Sequence, residues 1–515
     1  MESNQGASAS DQKQDIKASE EVPTKEHLED LRGKDKAAEL LQNANQTVLV
    51  SPEDNARILR KIDLTILPIM LAVYFLQQLD KSTLSYASVF GLVDDAHLGG
   101  QDYSWLGSIV YVAQLVMQPI VAYFLVKLPT GRFAAVMVLC WGIVLSCMAV
   151  AKDFKGLLAT RFFLGCFEAS VAPTFIAITQ MWWRRSEQTN RNAAWLAVSS
   201  RGVVGHIHSS VLHSYQIIFL ACGLLTVLFS AVVFLFMPDS PVDAKFLNDQ
   251  DKLLAVERLR DNQMGVVSTE WKWEHVTESL LDLKTWFWFS LIFSISIPSG
   301  GITTFGPLIV NSFGFDSFKT ILLNIPFGAV QIIATMGGAA LATYFKRKGP
   351  VLVLLCIPPI VGSVILLCIP HEQTHRGPLL VGYYLISVYP GISPLIYSWS
   401  SQNTAGETKK KTTTAVLFIG QSAGNVRLLP FDSLILFIVL AVLIALTTLH
   451  LMILNKKHAS RRVAVGKSAV VIDRSMMNVQ ERTANDEDAD GSDGLPSKAF
   501  DDETDLKNED FIFVY

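Results

Sequence analysis

Apolar positions along the chain are gathered into long runs, not spaced at the intervals of a soluble helix or strand. From Leu64 onward the runs fall at about 64–84, 105–126, 132–151, 156–180, 192–212, 215–237, 285–307, 319–344, 350–370, 378–399, 412–429 and 432–455. Each is near the ~20 residues that cross a bilayer. This predicts twelve transmembrane helices. The fifth and eleventh are interrupted, the fifth by Arg201, His206 and His208, the eleventh by Asn425 and Arg427. The longest break, 238–283, is polar, and its Leu253, Leu254, Val256 and Leu259 suit a short amphipathic helix. Six runs, a linker and six runs is the layout of a membrane protein built as two related halves. The pattern therefore predicts an all-α membrane protein of two six-helix bundles, 63–237 and 284–455. They are joined by the linker 238–283 and flanked by polar tails, 1–62 and 456–515.

Composition agrees. Of the 515 residues 50% are hydrophobic and 17% charged, against about 25% charged in soluble domains. Nearly half of the charged residues lie in the two tails. A soluble enzyme and a disulfide scaffold are excluded, and the net charge of −4 leaves no basic footprint for nucleic acid. Cys140, Cys147, Cys166, Cys222, Cys356 and Cys368 sit inside apolar runs and read as inert thiols. The stretch 1–62 is Glu-, Lys- and Ser-rich with no apolar run near Met1, which predicts a disordered cytosolic tail without a cleaved signal.

Basic residues set the orientation. With the N-terminal side inside, inner loops carry Lys127, Arg132, Arg184, Arg185, Arg191, Lys346, Arg347, Lys348, Lys409, Lys410 and Lys411. Outer loops carry only Lys152, Lys155, Lys319, Arg376 and Arg427, so both tails are expected in the cytosol. After Lys456, Lys457, Arg461 and Arg462 the last tail turns acidic, through Asp486–Asp490 and Asp501–Glu503. The basic cluster reads as a stop-transfer flank or a headgroup contact. Gly466-Lys467-Ser468 is no phosphate loop, because Arg461 stands where its first glycine belongs. Any transport is therefore expected to run on a gradient.

Ionisable groups at bilayer depth are costly and mark function. The first run ends in Asp80 and Lys81, a candidate proton carrier and a candidate anion contact. The alternative puts the pair at the outer interface, with Lys81 snorkelling. The fourth run holds Arg161 and Glu168, two turns apart on one face, with Gly165 between them to admit a neighbouring helix. Arg201 is a candidate anion contact or a resident of a wet crevice. His206, His208 and His213 lack a completing ligand, so no metal or other cofactor is expected. Asn311, Asn324, Gln331, Tyr384, Tyr389, Tyr397, Gln421 and Asn425 are softer candidates for a cavity lining, with helix–helix hydrogen bonding as the competing role for each.

Arg161-x-x-x-Gly165 and Lys127-Leu-Pro-Thr-Gly131-Arg132 resemble the fourth-span and loop two–three motifs of major facilitator transporters. Over about 55–457 the chain resembles the fungal allantoate permease family of anion:cation symporters. The matching stretches include Leu79–Ser82, Tyr103–Ser108, Pro129–Phe133, Arg161–Pro173, Pro238–Pro241, Phe313–Phe315, Ile325–Gln331, Ala405–Lys410 and Ser422–Asn425. The resemblance implies the major facilitator fold with nominally twelve spans. It also implies proton-coupled uptake of a small organic anion, such as an allantoate-, nicotinate- or pantothenate-like carboxylate, by alternating access. The chain departs from the family pattern where Ser199, Ser200, Arg201 and His206 replace a glycine-rich fifth span, and where Val426–Pro430 leads at once into span twelve.

The expectation is a multi-pass symporter of the plasma membrane, monomeric, not an enzyme, with protons, a small organic anion and the bilayer as partners and no nucleic acid. Asp80 and Glu168 are assigned to proton coupling. Lys81, Arg161, Arg201, Gln331, Tyr384, Gln421 and Asn425 are assigned to substrate. The rival readings are an exporter of an acidic metabolite and a non-transporting sensor or inactive paralogue, the latter motivated by the shortened spans five and eleven.

Overall fold

The structure is a computed structural model that describes residues 50–89, 92, 96–197, 214–262, 269–313, 317–370, 375–426, 433–468, 473 and 502–515. Among these residues the long regular elements are all helical. The first half contains α1 (Pro52–Val89), α2 (Asp102–Lys127), α3 (Thr130–Cys147), α4 (Phe154–Glu168), α5 (Val171–Trp182), α6 (Arg185–Ala197) and α7 (Ser214–Phe236). The linker holds α8 (Asp249–Glu257) and α9 (Trp273–Leu281). The second half contains α10 (Leu283–Ser312), α11 (Ser317–Phe345), α12 (Gly349–Cys368), α13 (Arg376–Ile386), α14 (Ile392–Gln402), α15 (Glu407–Asn425) and α16 (Ser433–Ala464).

Ten helical stretches among the described residues are long and apolar enough to span a membrane, with α4–α5 and α13–α14 each making one span. The predicted fifth span begins as α6 and continues into 198–213, outside the described residues, so Arg201, His206 and His208 fall there too. The predicted eleventh span is α15, which starts at Glu407 and draws Lys409, Lys410 and Lys411 into a buried helical turn. The first span also starts early: α1 begins at Pro52, and Ile58 and Ile62 are already core. Leu228, Leu235, Ile333, Leu354, Leu367 and Ile438 are exposed on the outside of the bundle. Such a continuous apolar surface suits lipid, which accepts apolar side chains without cost.

Two glycines show why the small-residue motifs matter. A Cβ on Gly165 would lie 2.6 Å from the Val110 carbonyl oxygen, so only glycine lets α4 pack this closely on α2. A Cβ on Gly131 would lie 2.7 Å from the Met237 carbonyl oxygen. There the Arg132 backbone N–H and Nε both donate to Asp239, at 2.9 and 3.0 Å, and fasten the α2–α3 turn to the end of α7.

The predicted linker helix is α8. Arg57 and Lys61 of α1 both reach its Asp251, at 3.0 and 2.7 Å. Buried Arg258 pairs with Glu187 at 2.6 Å, so this part of the linker packs on the first half. The Ser279 and Thr413 hydroxyls, 2.9 Å apart, dock α9 on the second half.

The halves pack on each other through α2 and α15, and several polar contacts join them at the end that carries the basic loops. Gln180 Nε2 donates to the Ser401 carbonyl at 3.1 Å, Thr189 and Ser398 hydroxyls lie 2.9 Å apart, and Thr343 donates to Asn190 Oδ1 at 3.2 Å. The side chains of Arg185 and Gln402 each donate to the other residue's backbone carbonyl. The basic end is closed in this conformation.

Candidate functional site

Above that closed end a cavity lies between the halves. It is lined by Tyr74, Gln77 and Lys81 of α1, Gln114 and Gln118 of α2, Glu168, and Trp195 of α6, with Tyr397, Phe418 and Gln421 from the second half. Tyr74, Gln77 and Lys81 are spaced by three and four residues, which sets them on one face of α1. Gln114 and Gln118 share a face of α2 for the same reason. That pair of amides inside an apolar run was the available signal for two lining residues the sequence reading passed over.

The break in the fourth span shapes the floor. Pro173 has no N–H, so the carbonyl four residues earlier, at Ala169, loses its helical donor. Gln118 Nε2 takes its place, donating to Ala169 O at 3.2 Å. Four residues along α2, Gln114 Nε2 donates to Glu168 Oε2 at 3.3 Å. Two amides of one helix thus hold both the break and the carboxylate beside it.

Lys81 Nζ lies 3.5 Å from Glu168 Oε1. Glu168 is almost fully buried, while the Lys81 side chain is 39% exposed toward the cavity. Lys81 therefore faces the cavity between the halves. The pair is an acid and a base facing one polar space, with enough freedom on the lysine side to change partners.

Asp80 points the other way. Trp141 Nε1 donates to its Oδ2 at 2.8 Å, and the Thr83 hydroxyl reaches its Oδ1 at 3.2 Å. It is buried between α1 and α3. Arg161 is also buried, within electrostatic reach of both Asp80 and Glu168, and its Nε and one terminal nitrogen have no hydrogen-bond partner.

The remaining predicted residues separate. Gln421 and Tyr397 line the cavity. Tyr397 stacks on Phe418 at 5.0 Å, and its buried hydroxyl has no hydrogen-bond partner. Tyr384 instead donates to the Leu323 carbonyl at 3.1 Å, a tie within the second half. Asn425 packs against Gly300 of α10. Gln331 is half-buried on α11, and neither it nor Asn425 is among the cavity-lining residues. Tyr389 is buried in the turn between α13 and α14. The side chains of Asn311 and Asn324 fall outside the described residues. Sequence periodicity places a residue on a face, but which faces meet across the two halves is decided only by their packing.

Two helical bundles closed at one end around a polar cavity define a membrane transporter, not an enzyme. The chain matches the Major Facilitator Superfamily over residues 70–426 and belongs to that family. It is 35% identical over 379 residues to a thiamine pathway transporter of Saccharomyces cerevisiae, covering 72% of each chain. It is 30% identical over 413 residues to the allantoate permease of the same yeast, covering 76% of this chain and 75% of the relative. An MFS-type transporter of Penicillium expansum is 32% identical over 383 residues, covering 73% of each. Among solved structures, the Escherichia coli fucose:proton symporter shares the fold, with a TM-score of 0.53 at 12% identity, covering 74% of this chain and 99% of that one.

Proposed function

We propose that this transporter couples inward movement of a proton to uptake of a small organic anion by alternating access. The observation that carries the reading is the Lys81–Glu168 pair on the central cavity. In the resting site each charge neutralises the other. A substrate carboxylate entering the cavity competes for Lys81, and Glu168 then becomes a carboxylate without its cation. Protonating Glu168 removes that cost, so anion and proton enter together. The cavity then holds a neutral set of charges, and the halves rock to expose it at the other end.

Gln77, Gln421 and the Tyr397 hydroxyl offer the polar contacts that would orient the anion. Arg161 works from behind, holding Asp80 and the ground-state charge of Glu168 within the first bundle. Asp80, enclosed by Trp141 and Thr83, fits a supporting electrostatic role better than direct proton exchange with the cavity. The allantoate permease relationship supports a carboxylate as cargo. The basic-loop asymmetry supports placing the closed end and the stretches 1–62 and 456–515 in the cytosol, and the proposed transporter is a monomer in the plasma membrane.

The test is uptake of labelled small carboxylates into permease-deficient yeast cells expressing the chain, across external pH and with a protonophore. Accumulation that rises on acidification and collapses with the protonophore is expected. Uptake indifferent to both refutes proton coupling, and a failure of every carboxylate while a cation or neutral solute accumulates refutes the anion assignment.

A further inference from the structure

The polar C-terminal region contains a segment that is not solvated. Residues 502–515 lie in a groove at the basic end of the second half, and Thr504, Asp505, Asn508, Phe511, Phe513 and Val514 are buried there. The groove reads this segment through its backbone. Asn455 donates from Nδ2 to the Phe513 carbonyl at 2.7 Å and accepts the Phe513 N–H at 2.8 Å. Asn403 does the same for Val514, at 2.9 and 2.8 Å, and Trp399 Nε1 adds a bond to the Val514 carbonyl at 2.7 Å. Each asparagine side chain thus imitates a neighbouring strand, as in recognition of an extended peptide.

Side chains add charge and shape. Asp505 is enclosed between the ammonium groups of Lys284 and Lys409, the second at 3.1 Å, and also accepts the Ala405 N–H at 3.1 Å. Lys284 lies 4.8 Å over the Phe513 ring. Asp502 pairs with Lys272 at 3.0 Å and accepts the Glu407 N–H at 2.7 Å, at the start of α15. These partners stand at the starts of α9, α10 and α15, at the end of α14 and in the last third of α16, around the basic end of the second half.

One partner belongs to the other half. Arg185, the first residue of α6, donates to the Ile512 carbonyl at 3.0 Å, and its guanidinium lies 4.8 Å over the Phe511 ring. The same guanidinium bonds the Gln402 carbonyl at the end of α14. Opening the basic end requires α6 to leave α14. The segment is therefore a strap across the seam, fixed to one half along its length and to the other through Arg185.

We propose that the groove is a docking site for the acidic–aromatic segment 502–515, and that the docked segment latches the basic-end gate shut. Undocking would release Arg185 and permit the inward-open state, so modification of the segment or capture of it by a binding partner would set how often the gate opens. The proposal rests on alternating access, but its test needs no substrate.

The test uses the full chain with its six cysteines replaced and Ser401→Cys added as the reporter. Ser401 is buried between the halves, where its carbonyl accepts Gln180. Maleimide labelling at position 401 is followed in detergent and in inside-out vesicles. Removal of 502–515 is expected to raise the labelling rate about tenfold, a shift of the gate equilibrium by the same factor. A synthetic peptide of residues 502–515 is expected to return it. Full-length Asp505→Asn with Phe513→Ala is expected to raise it as well, and decides the matter if the shortened chain aggregates. Unchanged labelling in a monodisperse variant overturns the latch. A chain that moves no solute yet shows segment-dependent labelling keeps the latch and fails the symport reading; the reverse result fails the latch alone.

Discussion

Glu168→Gln is the perturbation that reports most directly on the coupling scheme. Glutamine keeps the size of the side chain and an oxygen to accept from Gln114, so the packing beside the α4–α5 break is retained. What is lost is the charge facing Lys81. At 3.5 Å the gross attraction is about 5 kcal/mol for an effective dielectric near 20. Lys81 is 39% exposed, so water and cavity ions screen it, and its ammonium can turn toward solvent once the carboxylate is gone. The net loss of stability is therefore about 1–3 kcal/mol, below the cost of orphaning a fully buried ion. The expected outcome is a folded protein with a modestly lowered melting temperature. Its uptake should be slower and should no longer rise as external pH falls. With Lys81 unneutralised, substrate anion should bind at least as well as before. Proteoliposome uptake at several pH values, with binding measured separately, separates these effects. A variant whose uptake keeps the parent's full pH dependence refutes the role of Glu168 as the proton carrier.

Three further outcomes are expected. Trp141→Phe deletes the 2.8 Å donor to buried Asp80 and should cost about 1–3 kcal/mol, read as a lower melting temperature in detergent that Asp80→Asn partly restores. Gly165→Val places a side chain against the Val110 carbonyl and Ala113 and should lower stability by about 1–3 kcal/mol or more, while the same change at Gly107, which faces open space, should be near neutral. Burial works against the charge of Asp505, but Lys284 and Lys409 outweigh it and hold the carboxyl at about 2, below its ordinary 3.8. Its contribution is therefore complete above the ordinary value and lost only as pH falls through about 2. The Asp505 contribution to docking, read as the ratio of the labelling rates at position 401 of Asp505→Asn and the parent at each pH, should be flat between about pH 5 and 8, and a transition of that ratio in the window would contradict Lys284 and Lys409 as its partners.

Much of this architecture was legible in the residues themselves. The apolar runs located the spans because a bilayer demands length and continuity, and the polar break announced the linker helix. Burial cost alone selected Asp80, Lys81, Arg161 and Glu168, and Gly165 marked a close helix contact. What the order of residues did not reveal was which of these groups face one another. Asp80 and Lys81 are adjacent in the chain, yet the helical turn sends one toward Trp141 and the other toward Glu168. Gln114, Gln118, Trp195 and Phe418 join the site only because separate helices, and in the last case the two halves, bring them there.

The clearest division is at 502–515. Its first residues read as a solvated acidic tail, with three acids among the first four, and the apolar run Phe511–Tyr515 that follows signals burial without saying against what. The groove that receives it is assembled from Lys284, Trp399, Asn403, Lys409 and Asn455, five positions spread over four helices. Composition and hydrophobic continuity determined that this chain crosses a membrane, and roughly where. Packing decided the charge pairs and the docking of the polar segment, because opposite charges in a low-dielectric interior interact strongly only at a few ångströms, and that separation is set by the tertiary fold.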